Sequence, residues 1–178
     1  MPTLTSHSGK IIDLRLPQAG DETTLYTYAQ ELQAEDTFVL LNPAEPVTWA
    51  EEINYLKSTL DKLRAGWQIH YLAFHQGKMI GSSQVTKPGR RKMHLGNLGI
   101  SLLKDYRHDG IGEQLARLVI DEAKNKLGLT AITLEVFNNN TVAQHLYQKL
   151  GFTEYGRLPR GMLYKDGFTD AILMYKPV

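Results

Sequence analysis

Between Met93 and Phe137 the chain passes from a strand pattern to a helix pattern and back to a strand, and this restricts the fold more than any other feature. Met93 to Leu102 reads as a strand, and Leu103 to Asp109 as a short irregular link. Gly110 to Leu127 then reads as a helix with Ile111, Leu115, Leu118, Val119 and Ala123 on one face. Gly128 stops that helix, because glycine enters the left-handed region without a Cβ clash. Ala131 to Phe137 is β-branched and apolar, as a buried strand requires. A strand, a crossover helix and a second strand make a parallel unit whose hand is right almost without exception.

The remaining elements read as hairpins and two earlier helices. Lys10 to Leu16 is expected as a first strand, closed by Pro17 and Gly20. Asp21 stands where a helix N-cap belongs, ahead of Leu25, Tyr28, Ala29 and Leu32 at helical spacing. After the Pro-bounded loop Asn42 to Pro46, Thr48 and Glu51 form a capping box for a second helix striped by Ile53, Leu56, Leu60 and Leu63. Gln68 to His75 and Lys78 to Lys87 read as a hairpin about Gln76-Gly77, and Pro88 to Arg91 as a loop. Asn140 to Leu150 is a short helix ended by Gly151, and two last strands flank Asp166-Gly167. The order β-α-α-β-β-β-α-β-α-β-β predicts an α+β fold with a mixed, mostly antiparallel sheet and helices on its faces. No repeat, low-complexity tract or linker divides the chain, so residues 1–178 are expected to form one domain.

Composition narrows the function by exclusion. Twenty Lys+Arg against nineteen Asp+Glu leave a net charge of +1, which supplies no broad cationic field for nucleic acid or anionic lipid. The chain has no cysteine, so thiol nucleophiles, disulfides and zinc–thiolate sites are excluded. No apolar run reaches the roughly 20 residues that span a bilayer. Met1 to His7 lacks the basic start and apolar stretch of a secretory signal, so a cytoplasmic protein is expected. His70 and His75 are an odd number of residues apart on one strand and no helix carries an H-x-x-x-H pair, so no metal site is expected. Arg90-Arg91-Lys92, Arg157 and Arg160 read as solvated surface.

The chemistry is expected at Tyr106-Arg107-His108-Asp109-Gly110-Ile111-Gly112-Glu113. A helix N-terminus offers unpaired N–H groups and about half a positive charge, and the two glycines allow an anion against the backbone. The same glycines also suit a tight loop with close helix packing. Two familiar phosphate motifs do not apply. The third position of G-x-G-x-x-G is Leu115, and no Gly-Lys-Ser/Thr tripeptide occurs.

In these residues the sequence resembles the GCN-five-related N-acetyltransferases, the GNAT family. Arg107, Gly110 and Gly112 match its phosphate loop Arg/Gln-x-x-Gly-x-Gly/Ala. Asn140, Ala143, Leu146, Tyr147, Lys149, Gly151 and Phe152 match a second signature, Asn-x-x-Ala-x-x-Leu-Tyr-x-Lys-x-Gly-Phe. The resemblance implies acetyl-CoA as acyl donor, with backbone amides of Arg107, His108, Asp109, Gly110, Ile111 and Gly112 on its pyrophosphate. It implies that the parallel strands splay and admit the pantetheine arm, that Leu102 and Leu103 give that arm main-chain bonds, and that Asn140 bonds it nearby. Tyr147 would protonate the departing thiolate.

On spacing alone, Asn140, Ala143 and Tyr147 share one helix face, with a small residue at its centre. A plain N-cap for Asn140 and a buried core role for Tyr147 remain open at this level. Glu135 and His94 are the candidate bases, against an ion-pairing residue, a strand histidine or a water chain. With no cysteine to carry an acyl group, transfer to a primary amine is expected to be direct. The region Glu31 to Glu52 is where the resemblance puts the acceptor, and Glu35, Asp36, Glu45 and Glu51 there would attract a cation. A small molecule and a protein amino group both fit, as does homodimer formation through the last strands. The competing class is a catalytically idle CoA-binding sensor or subunit.

Overall fold

The computed structural model describes residues 2–165 and 167–178. Eight strands form one sheet: β1 (Thr3–Thr5), β2 (Ile11–Arg15), β3 (Gln68–His75), β4 (Lys78–Thr86), β5 (Leu95–Leu102), β6 (Ala131–Phe137), β7 (Thr153–Tyr164) and β8 (Gly167–Pro177). Their spatial order is β1-β2-β3-β4-β5-β6-β8-β7. Every neighbouring pair is antiparallel except β5 and β6. The expected α+β fold is therefore the one observed. Four helices cover the sheet: α1 (Glu22–Ala34), α2 (Trp49–Arg64), α3 (Ile111–Leu127) and α4 (Thr141–Lys149). No helix among the described residues is long and apolar enough to cross a membrane.

The periodicities place the helices. Ile111, Leu115, Ala116, Val119, Ile120, Ala123 and Leu127 are the buried stripe of α3, and the upper part of it meets Ile12, Leu14, Ala73 and Ile80. Further along, Val119, Ile120 and Ala123 share a core with Ile132, Leu134 and Val136 of β6, with Tyr147 of α4 and with Leu150 just beyond it. On the other sheet face, Leu25, Tyr28 and Leu32 of α1 and Leu56 of α2 close over Leu72, Phe74 and Met79. Alternation along β3 and β4 supplies both faces from the same strands.

Local chemistry accounts for most boundaries. Thr48 Oγ1 accepts from Glu51 N at 3.3 Å while Glu51 Oε2 accepts from Thr48 N at 2.8 Å, the expected capping box. Gly128 ends α3 in the left-handed region at φ 62°. Asp21 stands at the N-cap of α1 but makes no side-chain cap bond. Its oxygens instead accept two bonds from Arg15, both at 2.7 Å, and one from Gln18 N. The charge-assisted fork outcompetes a single cap bond.

Two expectations at strand starts differ. The short strand β1, unforeseen in the sequence, pairs Leu4 with Ile12. Strand β5 begins at Leu95 rather than Met93, because Arg90–Lys92 coil into a 3-10 turn that leaves Met93 and His94 in a turn. Asp166 of the expected Asp166-Gly167 turn lies outside the described residues; Tyr164 pairs with Gly167. Leu115 has no exposed surface where α3 meets the sheet. Leu115→Ala is expected to cost about 2–5 kcal/mol of unfolding free energy, measured by urea titration.

Candidate active site

The parallel ladder between β5 and β6 is short. It pairs Leu95 with Ala131, Gly96 with Ile132 and Asn97 with Thr133, and goes no further. Beyond that point β5 stays paired with β4 up to Leu102, and β6 stays paired with β8 up to Phe137. The two strands part, as the resemblance implied. Leu103 N–H donates to Ile80 O at 2.9 Å, which sets the alternation of the β4–β5 ladder. Gly99, Ser101 and Leu103 turn their main chain to β4, while Ile100 and Leu102 turn theirs to the gap. Leu103 is thus not placed to bond a ligand there: its N–H serves Ile80, its carbonyl accepts from Tyr106 N, and its side chain is buried. The gap-facing partner of Leu102 is Ile100.

At the mouth of the gap stands the N-terminus of α3. Gly110 precedes it at φ 76°, and no side chain of that residue caps the helix. A Cβ on Gly110 would lie 2.4 Å from the His7 ring, so both the conformation and the space demand glycine. The loop is strapped from outside. Asp109 accepts from Ser8 N at 2.7 Å, Ser8 Oγ at 2.6 Å and Lys10 Nζ at 2.9 Å, and its carbonyl accepts from His7 N. The Ser8 hydroxyl, then the Lys10 ammonium, hold the Asp109 carboxyl far below the usual carboxylate range. Asp109 and Ile111 therefore turn their side chains away from the cavity, the latter into the core. Only their main chain is available to a ligand.

Arg107 is committed to the protein. Its Nε donates to Leu102 O at 2.9 Å, and its terminal nitrogens reach Thr37 Oγ1 and the Glu35 carboxylate. Glu35 also accepts from Lys104 N at 2.8 Å, so it pins the link after β5 to the end of α1. Glu113, in the first turn of α3, is bonded by Lys149 at 2.6 Å and by Arg117, which together pull its carboxyl below the usual value. The pair leaves an excess of positive charge beside the helix mouth.

Helix α4 forms the other wall. Asn140 Oδ1 accepts from Ala143 N at 3.1 Å, which leaves its amide nitrogen uncommitted among the described residues. The cap and a ligand bond thus fall to different atoms of one side chain. At the far end, Gly151 N donates to Gln148 O and Phe152 N to Tyr147 O, both at 2.9 Å, with Gly151 at φ 88°. This is the glycine-dependent helix stop in which the two flanking side chains touch. The rings of Tyr147 and Phe152 meet edge to face at 6.0 Å. The Gly-Phe pair therefore holds Tyr147 from both its carbonyl and its ring. Tyr147 is 8% exposed, and burial pushes its phenol up to about 12.

A cavity of about 380 Å³ joins these parts, lined among others by Ile100, Leu102, Arg107, His108, Gly110, Gly112, Asn140, Ala143 and Tyr147. A second cavity of about 720 Å³ lies under α1 and α2, and the two share Val39 and Ser101. At that junction Tyr28 donates its hydroxyl to Ser101 Oγ at 2.8 Å. Sequence reading missed Tyr28 and Ser101, since one sits on an apolar helix stripe and the other on an ordinary strand. Neither Glu135 nor His94 lines either cavity. Glu135 is exposed opposite Leu173, and His94 is exposed in the turn before β5, at the end of the strand remote from the gap. Among the described residues no group of three or more His, Cys, Asp or Glu gathers as metal ligands would.

A split parallel pair beside an uncapped helix N-terminus offers unpaired main-chain donors at one cavity. The model of the acetyltransferase (GNAT) family matches residues 34–152. The chain belongs to that family. It is 30% identical to a GNAT-family acetyltransferase from Streptococcus pneumoniae, with a TM-score of 0.83 over 94% of this chain and 99% of that one. It is 33% identical over 112 residues to the N-alpha-acetyltransferase MAK3 of Arabidopsis thaliana, covering 62% of this chain and 58% of that protein. The chain thus spans little more than half the length of that curated relative. The fold also matches a spermidine N-acetyltransferase from Vibrio cholerae solved with CoA and spermine, at 20% identity and a TM-score of 0.75 over 93% of this chain and 95% of that one.

Two outcomes follow from the supports of the site. Gly151→Ala forces an L side chain to φ 88° and is expected to lower stability by about 1–2 kcal/mol in urea titration. Asp109 has a depressed folded pKa, so its stabilisation is present above the unfolded value near 3.9 and fades as pH falls below it. The Tm of the wild type is therefore expected to exceed that of Asp109→Asn near neutral pH, with the gap narrowing under pH ~4.

Proposed function

We propose that this protein is an acetyl-CoA-dependent N-acetyltransferase that acylates a primary amine by direct transfer. The observation that carries the reading is the interruption of the β5–β6 ladder after Asn97 and Thr133, with the α3 mouth and Tyr147 beside the opening. The residues fit the cosubstrate. Free N–H groups from His108 to Gly112 suit its pyrophosphate, and the gap-facing main chain of Ile100 with the N–H of Leu102, whose carbonyl already accepts from Arg107, suits the amides of its pantetheine arm. The Asn140 amide nitrogen is free to donate to that arm.

In the reaction a neutral amine nitrogen attacks the thioester carbonyl carbon. A C–N bond forms, the C–S bond breaks, Tyr147 supplies the proton that the thiolate takes up, the amine nitrogen loses one proton to water, and Tyr147 regains a proton from water. Burial of Tyr147 keeps its phenol neutral at working pH, hence always loaded with the proton. The same desolvation makes a thiolate beside it more basic, which offsets the weaker acidity of the buried phenol. The amine would arrive from the second cavity and meet the acyl group at Ser101 and Val39, the residues the two cavities share. The commitment of Arg107 to Glu35 and Leu102 supports phosphate recognition by main-chain groups rather than by its guanidinium.

The test is thiol release from acetyl-CoA across a panel of small amines and short peptides. Tyr147→Phe is expected to lower kcat by ~10²-fold, within the usual range of a lost general acid, with little change in the KM for acetyl-CoA. An unchanged kcat removes Tyr147 from the chemistry. Calorimetric binding of CoA without thiol release for any amine overturns the enzymatic reading in favour of the idle module.

A further inference from the structure

The second cavity has an unusual wall. Its lining includes Glu45, Glu51 and Glu52 and, among the described residues, no Lys, Arg or His. Two of the three have ordinary employment. Glu51 is exposed and closes the capping box of α2, and Glu45 is exposed in the loop before it. Glu52 differs. It is only 8% exposed, and its carboxylate has no hydrogen-bond or ion-pair partner among the described residues. Burial, with no cation to oppose it, pushes the carboxyl above its usual value. A negative group in the first turn of α2 is favoured by the helix dipole, but exposed Glu51 meets that demand one residue earlier. Its oxygens keep some accessible surface at the second cavity, so a cation entering there can reach them.

Resting on the transfer reaction above, we infer that Glu52 binds a second, non-reacting ammonium of the acceptor, and that the acceptor is a small linear diamine or oligoamine. The reacting nitrogen must be neutral to attack the thioester, and a carboxylate paired with it would hold it protonated. Glu52 lines only the second cavity, whereas Ser101 and Val39 mark the junction. The carboxylate is therefore suited to a charge carried elsewhere on the same molecule. Beside polar Ser82 and Gln84, the lining carries an apolar and aromatic set, Leu25, Leu32, Tyr28, Tyr55 and Met79. A polymethylene chain matches that wall, and about 720 Å³ is the scale of a small-molecule site.

The test uses the full chain, acetyl-CoA and four acceptors: 1,4-diaminobutane, spermidine, butylamine and a short peptide with a free alanine N-terminus. Wild-type kcat/KM for 1,4-diaminobutane or spermidine is expected to exceed that for butylamine by about tenfold or more, one ion pair's worth of discrimination. Glu52→Gln is expected to collapse that ratio toward unity, and Glu52→Asp to keep part of it. CoA binding by calorimetry reports that each variant is folded. A wild-type ratio near unity, an equal loss on all amines in Glu52→Gln, or a preference for the peptide overturns the inference while leaving the acetyltransferase reading intact. Absence of thiol release with every acceptor overturns both. The wild-type ratio alone decides the matter if neither variant folds.

Discussion

The gap between β5 and β6 is the constraint on which the rest of the molecule depends. A parallel pair that separates after Asn97 and Thr133 leaves main-chain donors and acceptors on both strands facing each other without bonding. Such groups need water or a ligand, so the sheet contains a slot shaped for a third extended segment. Each strand survives the separation because its outer neighbour holds it: β4 pairs with β5 through Gly81 and Leu102, and β8 pairs with β6 through Ala171 and Phe137. Antiparallel hairpins on either side therefore stabilise a defect that an isolated parallel pair would close.

The walls of that slot are set by contacts distant in sequence. Ser8 and Lys10 hold Asp109, and His7 lies where a Cβ on Gly110 would be, so the N-terminal hairpin dictates how the loop enters α3. Glu35 joins Arg107 and Lys104 N, so the end of α1 is tied to the link after β5. Thr37, Phe38 and Val39 follow at once and line the first cavity, while Val39 also lines the second. Phe38 stacks on Tyr164 with ring centroids 4.6 Å apart and touches Phe137 at 5.7 Å. The segment between α1 and α2 is thus the physical divider of the two cavities, anchored at one end by an ion pair and at its middle by aromatic packing. The buried imidazole of His70 lies 2.7 Å from Ser82 Oγ, its one hydrogen-bond partner among the described residues, and burial pushes its pKa down to about 4, so it is neutral.

Much of this was legible in the residues themselves. The α3 stripe, the Thr48–Glu51 capping box, the Gly128 and Gly151 stops and the single parallel unit all rest on interactions within a few positions of one another. The uncapped start of α3 and the shared face of Asn140, Ala143 and Tyr147 were readable for the same reason. What was not legible involved competition between distant partners. Asp21 gave its oxygens to Arg15 rather than to a cap, Arg107 went to Glu35, and Leu103 N–H went to Ile80. Ile100 replaced Leu103 as a gap-facing residue because ladder alternation is settled by the partner strand. The candidate base Glu135 is exposed outside both cavities because β8 fixes which face of β6 it occupies.

By itself, then, the sequence determined the type and order of most elements, the parallel crossover and the location of an uncapped, glycine-led helix start, since local backbone preference and periodic burial decide those. Tertiary structure alone decided where the strands part, which atoms of Asn140 and Arg107 remain available, and that Glu52 is enclosed without a cation while Glu51 is not. The reason is that pairing register and desolvation are properties of two surfaces brought together, and neither is written in the spacing of one segment.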